Sequence, residues 1–213
     1  MPSPAIKICG LKTAEALDAA VKARADYVGF VFFPPSPRHL PLADAAELAA
    51  RADGKVKRVA LMVDPDDAAI SEILSAVHLD ALQLHGKETP ERSAQIRARF
   101  GLPVWKALSV ASPEDVARAG SYAGAANLVL FDAKTPKNAL PGGMGLSFDW
   151  KLVANWNGPL AWGLAGGLTP DNVGEAIRLT GTPLVDTSSG VESAPGVKDT
   201  GRIARFCAAV RAA

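Results

Sequence analysis

Ala5-Ile6-Lys7-Ile8-Cys9-Gly10-Leu11-Lys12 is the stretch that separates two candidate folds. Its first five residues are apolar except for Lys7 and include two β-branched isoleucines, the texture of a buried strand. The turn that closes it, Cys9-Gly10-Leu11-Lys12, holds one glycine. A doubly wound dinucleotide-binding sheet usually places G-x-G-x-x-G there. Runs of the same texture recur at 27–33, 56–63, 81–84, 104–107, 127–131, 160–164 and 184–186, each followed by an Ala-rich, charge-flecked segment that reads as an amphipathic helix. Eight runs in 213 residues leave about 27 residues per unit, room for a strand and a helix. The runs are near-continuously apolar, as parallel strands covered on both faces require. The expectation is an α/β fold: a single (β/α)8 barrel domain over residues 1–213, eight parallel strands inside a ring of helices.

Helix starts support this phasing. Asp64-Pro65-Asp66, Thr89-Pro90-Glu91, Ser112-Pro113-Glu114 and Thr169-Pro170-Asp171 share one chemistry. The first residue can cap exposed backbone N–H groups, proline suits the first helical turn, and the acid suits the positive end of the helix dipole.

Lys plus Arg number 23 and Asp plus Glu 22, a formal charge of +1, which argues against a broad polyanion-binding surface and against nucleic acid as partner. No apolar run approaches the roughly 20 residues that span a bilayer. The opening Met1-Pro2-Ser3-Pro4 lacks the basic and apolar segments of a signal peptide. Cys9 and Cys207 are too few for a disulfide scaffold. The expected setting is cytoplasmic, without membrane contact.

In a barrel of this kind chemistry belongs at the carboxyl ends of the strands. There the sequence places Cys9, Arg38, Asp64, His85, Asp132, Gly166-Gly167, and Asp186 followed by Ser188-Ser189-Gly190. Strand alternation puts Lys7 on the face of Cys9, one layer below, where its ammonium would favour the thiolate. Cys9 is a candidate base or nucleophile, a buried structural cysteine being the alternative. Asp132, at the mouth of an apolar strand and before the long stretch 133–146, is a candidate general acid. Asp64 reads as a helix cap. Arg38 lies in a loop stiffened by four prolines, where a fixed guanidinium can grip a carboxylate or phosphate through two bonds. The glycines and serines at 166–167 and 188–190 follow the seventh and eighth runs, a frequent phosphate site of this barrel. His85 can line the site. His39, His78 and His85 form no close ligand pair, so no metal is expected. Cys207, within 203–210, reads as core of the last helix.

Taken in order, these motifs resemble the phosphoribosylanthranilate isomerase family. The matching segments are Lys7-Ile8-Cys9-Gly10-Leu11, Gly29-Phe30-Val31-Phe32 leading to Ser36-Pro37-Arg38, Gln83-Leu84-His85-Gly86, Phe131-Asp132, Phe148-Asp149-Trp150, Leu164-Ala165-Gly166-Gly167-Leu168, Asp186-Thr187-Ser188-Ser189-Gly190-Val191-Glu192 and Pro195-Gly196-Val197-Lys198-Asp199. The chain departs from the pattern at Gly142-Gly143-Met144-Gly145-Leu146, where many members carry a more polar segment. The resemblance implies the barrel fold and an Amadori rearrangement of N-(5-phosphoribosyl)anthranilate to the carboxyphenylamino-deoxyribulose phosphate. It implies Cys9 as general base and Asp132 as general acid. Arg38 would hold the anthranilate carboxylate, Asp186 would contact the sugar, and the glycine and serine loops would hold the phosphate. No cofactor is expected, because the substrate nitrogen is its own electron sink. The partner is thus a phosphorylated small molecule, and the chain a monomer or homodimer. Two other readings stand beside this one. One is a phosphosugar epimerase or synthase, whose catalytic lysine would have to be Lys106, without an obvious carboxylate partner. The other is a non-catalytic barrel that binds a phosphorylated metabolite.

Overall fold

The computed structural model describes residues 3–133, 147–154 and 156–213. Eight parallel strands close in sequence order: β1 (Ala5–Cys9), β2 (Tyr27–Val31), β3 (Lys57–Met62), β4 (Ala81–Leu84), β5 (Val104–Val110), β6 (Leu128–Ala133), β7 (Ala161–Leu164) and β8 (Leu184–Thr187), with β8 returning to pair with β1. Helices α1 (Ala14–Lys22), α2 (Leu42–Ala52), α3 (Asp67–Ala76), α4 (Pro90–Phe100), α5 (Pro113–Ala117), α6 (Val173–Thr180) and α7 (Thr200–Ala212) lie outside the ring. A short antiparallel hairpin, β9 (Glu192–Ala194) and β10 (Val197–Lys198), follows β8. The segment Gly142-Gly143-Met144-Gly145-Leu146 lies outside the described residues. Among the described residues no helix is long and apolar enough to cross a membrane.

Alternation along the strands sorts side chains between two cores. Ile6 and Ile8 face outward and join Leu17 of α1 and Ile203, Phe206 and Val210 of α7 in the large layer between sheet and helices. Cys207 is buried in that layer, as expected, and burial pushes its thiol up to about 11. The second, smaller cluster gathers Val59, Ala81, Trp105, Ala107, Leu130 and Leu184, with Ala5, Tyr27 and Leu128 against it. These residues come from seven of the eight strands, so they can meet only inside the ring. From β7, Gly163 faces Leu184 and Leu130. Residues of the same parity nearer the carboxyl ends, Lys7, Cys9, Gln83, Asp132 and Asp186, therefore also point inward.

Three helix starts differ from expectation. At α4, Thr89 caps as anticipated, its Oγ1 accepting the Arg92 N–H at 3.2 Å. At α3 the cap is Asp66, whose Oδ1 accepts the Ala69 N–H at 2.8 Å. Asp64 sits earlier, with φ +48°, and its Oδ1 takes the Lys87 N–H at 2.6 Å, linking the β3 loop to the β4 loop. Ser112 makes no side-chain cap bond, and the helix after Thr169 starts only at Val173, with Asn172 in the cap position. A capping tripeptide marks the end of a βα loop well; which of its oxygens caps depends on how the loop turns.

Lys106 also departs from expectation. It points outward from β5 and meets Glu88 at 2.7 Å, with further bonds to the carbonyls of Gly86 and Leu84. Glu88 also accepts the N–H groups of Asp64 and Gly86. The buried pair thus clamps the loop that follows β4. Lys106→Met leaves the Glu88 carboxylate buried without its cation. Urea unfolding is expected to show a loss of about 3–5 kcal/mol, the usual effect of breaking a buried pair on one side. A loss within experimental error would show that the pair is not clamping the loop.

Candidate active site

Register brings the site together. Lys7 on β1 stands opposite Asp186 on β8, and its Nζ donates to both carboxylate oxygens at 2.9 and 3.0 Å. Both residues are buried. One layer up, Cys9 stands opposite Gly29 of β2, and a Cβ on Gly29 would come within 2.7 Å of the Cys9 Sγ. Glycine at 29 is therefore what lets the thiol lie flat against the neighbouring strand.

The expectation that Lys7 favours the thiolate is met only in direction. Burial raises the Cys9 thiol, the Lys7 ammonium opposes this, and the nearby Asp186 carboxylate adds to the rise, so the thiol stays above its ordinary value. For Lys7, burial works against the charge, but Asp186 and Cys9 together outweigh it and hold the ammonium protonated. Lys7 is the largest influence favouring the thiolate and Lys198 a smaller one, but together they do not offset burial and Asp186.

Across the ring, Asp132 ends the inward row of β6. Its Oδ1 accepts the Ala133 N–H at 2.8 Å, and its Oδ2 lies 3.1 Å from Nε2 of His85. His85 is held just beyond β4 by the bond from its N–H to the Met62 carbonyl, at 2.8 Å. Gly166 crosses close to this carboxylate with φ +82°; a Cβ there would meet the Ala133 nitrogen at 2.5 Å and Asp132 Oδ1 at 2.9 Å. A side chain at 166 would both strain the backbone and displace Asp132.

The loops after β7 and β8 are tied to one another and to β1. Thr187 Oγ1 donates to the Leu168 carbonyl at 2.7 Å, and Gly190 packs against that same carbonyl. Ser189 and Gly190 lie in a 3-10 turn, Ser189–Val191. Ser188 Oγ, expected as a phosphate donor, gives its bond to the Cys9 carbonyl at 3.1 Å. Lys198 of the hairpin donates to the Ser188 carbonyl and hydroxyl and to Glu192 Oε1, at 2.9, 3.2 and 2.7 Å.

Arg38 is buried at the same rim. Its Nε and Nη2 donate to the two oxygens of Glu192 at 2.8 and 2.7 Å, a bidentate grip. Burial raises the Glu192 carboxyl, but Arg38 and Lys198 together hold it below the usual carboxylate range. The guanidinium plane is thereby fixed.

The expected residues thus divide into two kinds. Cys9, His85, Asp132, Asp186, Gly166, Ser188 and Arg38 are brought to one rim, and Gly167, Ser189 and Gly190 lie in the loops beside them. Asp186, Arg38 and Ser188 each carry a protein partner that the sequence did not reveal. Lys198, Glu192, Gly29 and Gln83 were not singled out for roles, although all four fall inside segments that carried the family resemblance. A lysine and a glutamate six residues apart, flanking Pro195-Gly196, were the available signal for a hairpin clamp.

Residues 6–209 match the model of the N-(5′-phosphoribosyl)anthranilate isomerase family. The chain belongs to that family. The N-(5′-phosphoribosyl)anthranilate isomerase of Paracoccus denitrificans is 58% identical over 204 residues, 95% of each chain. The crystal structure of the phosphoribosylanthranilate isomerase of Thermotoga maritima superposes with a TM-score of 0.88 at 36% identity, covering 99% of this chain and 100% of that one. A phosphoribosylanthranilate isomerase solved in complex with reduced 1-(o-carboxyphenylamino)-1-deoxyribulose 5-phosphate superposes at 0.86, with 34% identity over 99% of this chain and 100% of the other. The isomerase family therefore shares the closed barrel found here across its full length.

Lys7→Met should raise the thiol of Cys9 further, because it removes the cation that opposes the effect of burial most strongly there. The measurement is ultraviolet titration of the thiolate in a Cys207→Ala background. An ionisation midpoint that stays put or falls would show that the ammonium does not act on Cys9. The same variant should lose about 3–5 kcal/mol in urea unfolding through the uncompensated Asp186.

Proposed function

We propose that this chain isomerises N-(5-phosphoribosyl)anthranilate to 1-(2-carboxyphenylamino)-1-deoxyribulose 5-phosphate, with Cys9 as general base and Asp132 as general acid. As a member of the family it is an isomerase of tryptophan biosynthesis. The observation that carries the finer reading is the arrangement of one thiol and one carboxyl on the inward rows of β1 and β6, at the same rim with β7 and β8 between them. A sugar between them is reached from both sides.

The chemistry runs in three steps. Asp132 protonates the furanose oxygen while the nitrogen lone pair opens the ring to an iminium. The Cys9 thiolate removes the proton on C2′, giving an enolamine. The enolamine gains a proton at C1′ and loses one from its hydroxyl, giving the ketone. The count closes without an external electron carrier: one hydrogen leaves C2′ and one arrives at C1′.

Arg38 is the group for the anthranilate carboxylate, its orientation fixed by Glu192. The backbone N–H groups of Gly166, Gly167, Ser189 and Gly190 are the donors suited to the phosphate, with Lys198 as the nearby cation. Asp186, bound to Lys7, is placed to meet a sugar hydroxyl. An outward-facing Lys106 removes the feature on which a synthase reading rested.

Cys9→Ala and Asp132→Asn are each expected to lower kcat by about 10²–10⁴ with an unchanged circular-dichroism spectrum. Near-normal turnover by either variant would refute its assignment. Arg38→Ala should act chiefly on KM, since it removes a grip made already in the ground state.

A further inference from the structure

Gln83 is buried in the barrel interior, two residues before His85 on β4 and on the same face. Its Nε2 lies 3.3 Å from Nδ1 of His85. Its Oε1 has no hydrogen-bond partner among the described residues. An orphaned acceptor in so dry a place is costly, and a primary carboxamide can exchange its two ends by turning half a revolution about its last bond. The other nitrogen of the same imidazole faces Oδ2 of Asp132 at 3.1 Å.

Counting protons on this row separates two states. With Asp132 ionised and His85 neutral, the ring proton sits on Nε2 and points at the carboxylate. Nδ1 then offers a lone pair, and the Gln83 amide N–H answers it. When the Asp132–His85 pair gains a proton, Nδ1 carries a hydrogen if an imidazolium forms, or if the new proton sits on Oδ2 and is donated to Nε2. Nδ1 then needs an acceptor, and the one at hand is Gln83 Oε1, brought round by the half-turn. The orphaned atom is therefore the partner of the protonated pair.

We propose that Gln83 is a positioning residue for the general acid: by turning its carboxamide it serves His85 in both protonation states, so that Asp132 gains and loses its proton without leaving a buried imidazole nitrogen unpaired. The proposal rests on Asp132 being the acid of the isomerisation. Among the described residues Asp186 on β8, bound to Lys7 on β1, acts on both Asp132 and His85. Asp64 and the Glu88–Lys106 pair lie beside the loop that carries His85. Leu61 and Trp105 beside Gln83, and Ser109 beside Asp132, carry no charge. Turning a neutral amide leaves the charges of Asp186, Lys7 and Cys9 as they are. The effect is thus confined to this row.

Two variants and one titration test it. Nitrogen NMR of isotope-labelled histidine is expected to show the His85 proton on Nε2 in alkaline solution and a hydrogen on Nδ1 once acidification has given the Asp132–His85 pair its proton. Gln83→Glu, which only accepts once ionised, should keep a hydrogen on Nδ1 to higher pH than the wild type does. Gln83→Met, of equal length but without polar atoms, should lower kcat about tenfold, the size of one lost hydrogen bond, with KM within about twofold. A His85 whose Nδ1 stays bare while the pair gains its proton overturns the proposal from the wild-type protein alone, even if a variant fails to fold. So does a folded Gln83→Glu protein whose NMR and pH profile superimpose on the wild type. The NMR readout needs no substrate. A chain that shows the proton shift but turns over no phosphoribosylanthranilate therefore keeps the amide's turn between the two states of His85 and sinks the proposed function, with the general-acid role that rests on it.

Discussion

The bond between Lys7 and Asp186 is the constraint around which the upper barrel is arranged. It spans the seam where β8 meets β1, so it forms only if the ring closes in the observed register. The ammonium has no access to bulk water and the carboxylate very little, and a buried ion left without its partner costs several kcal/mol. A slip of one residue along this seam would turn Asp186 into the helical layer and leave Lys7 alone among apolar side chains. The pair therefore selects the register as much as it stabilises it.

Its placement also shapes the chemistry above it. The ammonium that would most favour a thiolate at Cys9 is shared with a carboxylate that opposes one, and the thiol stays high. A base that is mostly protonated has a small reactive fraction but a stronger one, since its affinity for the proton it must take is greater. On the far side of the mouth, the Asp132 carboxyl is held by a backbone N–H and by His85, and His85 by Gln83 and the clamp of Glu88 with Lys106 behind its loop. Both reactive groups thus owe their positions to charged or polar pairs one step removed from the mouth. The hairpin after β8 does the same for Arg38 through Glu192 and Lys198.

Much of this was legible beforehand. The eight apolar runs found the eight strands, two of them, Ala5–Cys9 and Ala81–Leu84, to the residue, because strands covered on both faces have few polar positions to blur their limits. The inward row of Cys9 and Lys7 followed from alternation alone, as did those of Asp132 and Asp186. The helix caps were read correctly in kind but often assigned to the wrong oxygen, since Asp64 and Thr169 lie in loops whose turn decides which side chain faces the helix. The partners of Arg38, Asp186, Ser188 and Lys106 were not legible. Arg38 and Glu192 are 154 residues apart and Lys7 and Asp186 are 179 apart, and nothing local in either segment names the other.

The sequence by itself determined the periodicity, and with it the barrel, the rim and the residues that end each strand, because burial pattern and strand alternation are local properties. Only the tertiary structure decided which charges neutralise one another and which nitrogen of His85 faces which neighbour. Those choices depend on ring closure, which sets distant strands side by side and withdraws their polar groups from the water that would otherwise have made any pairing unnecessary.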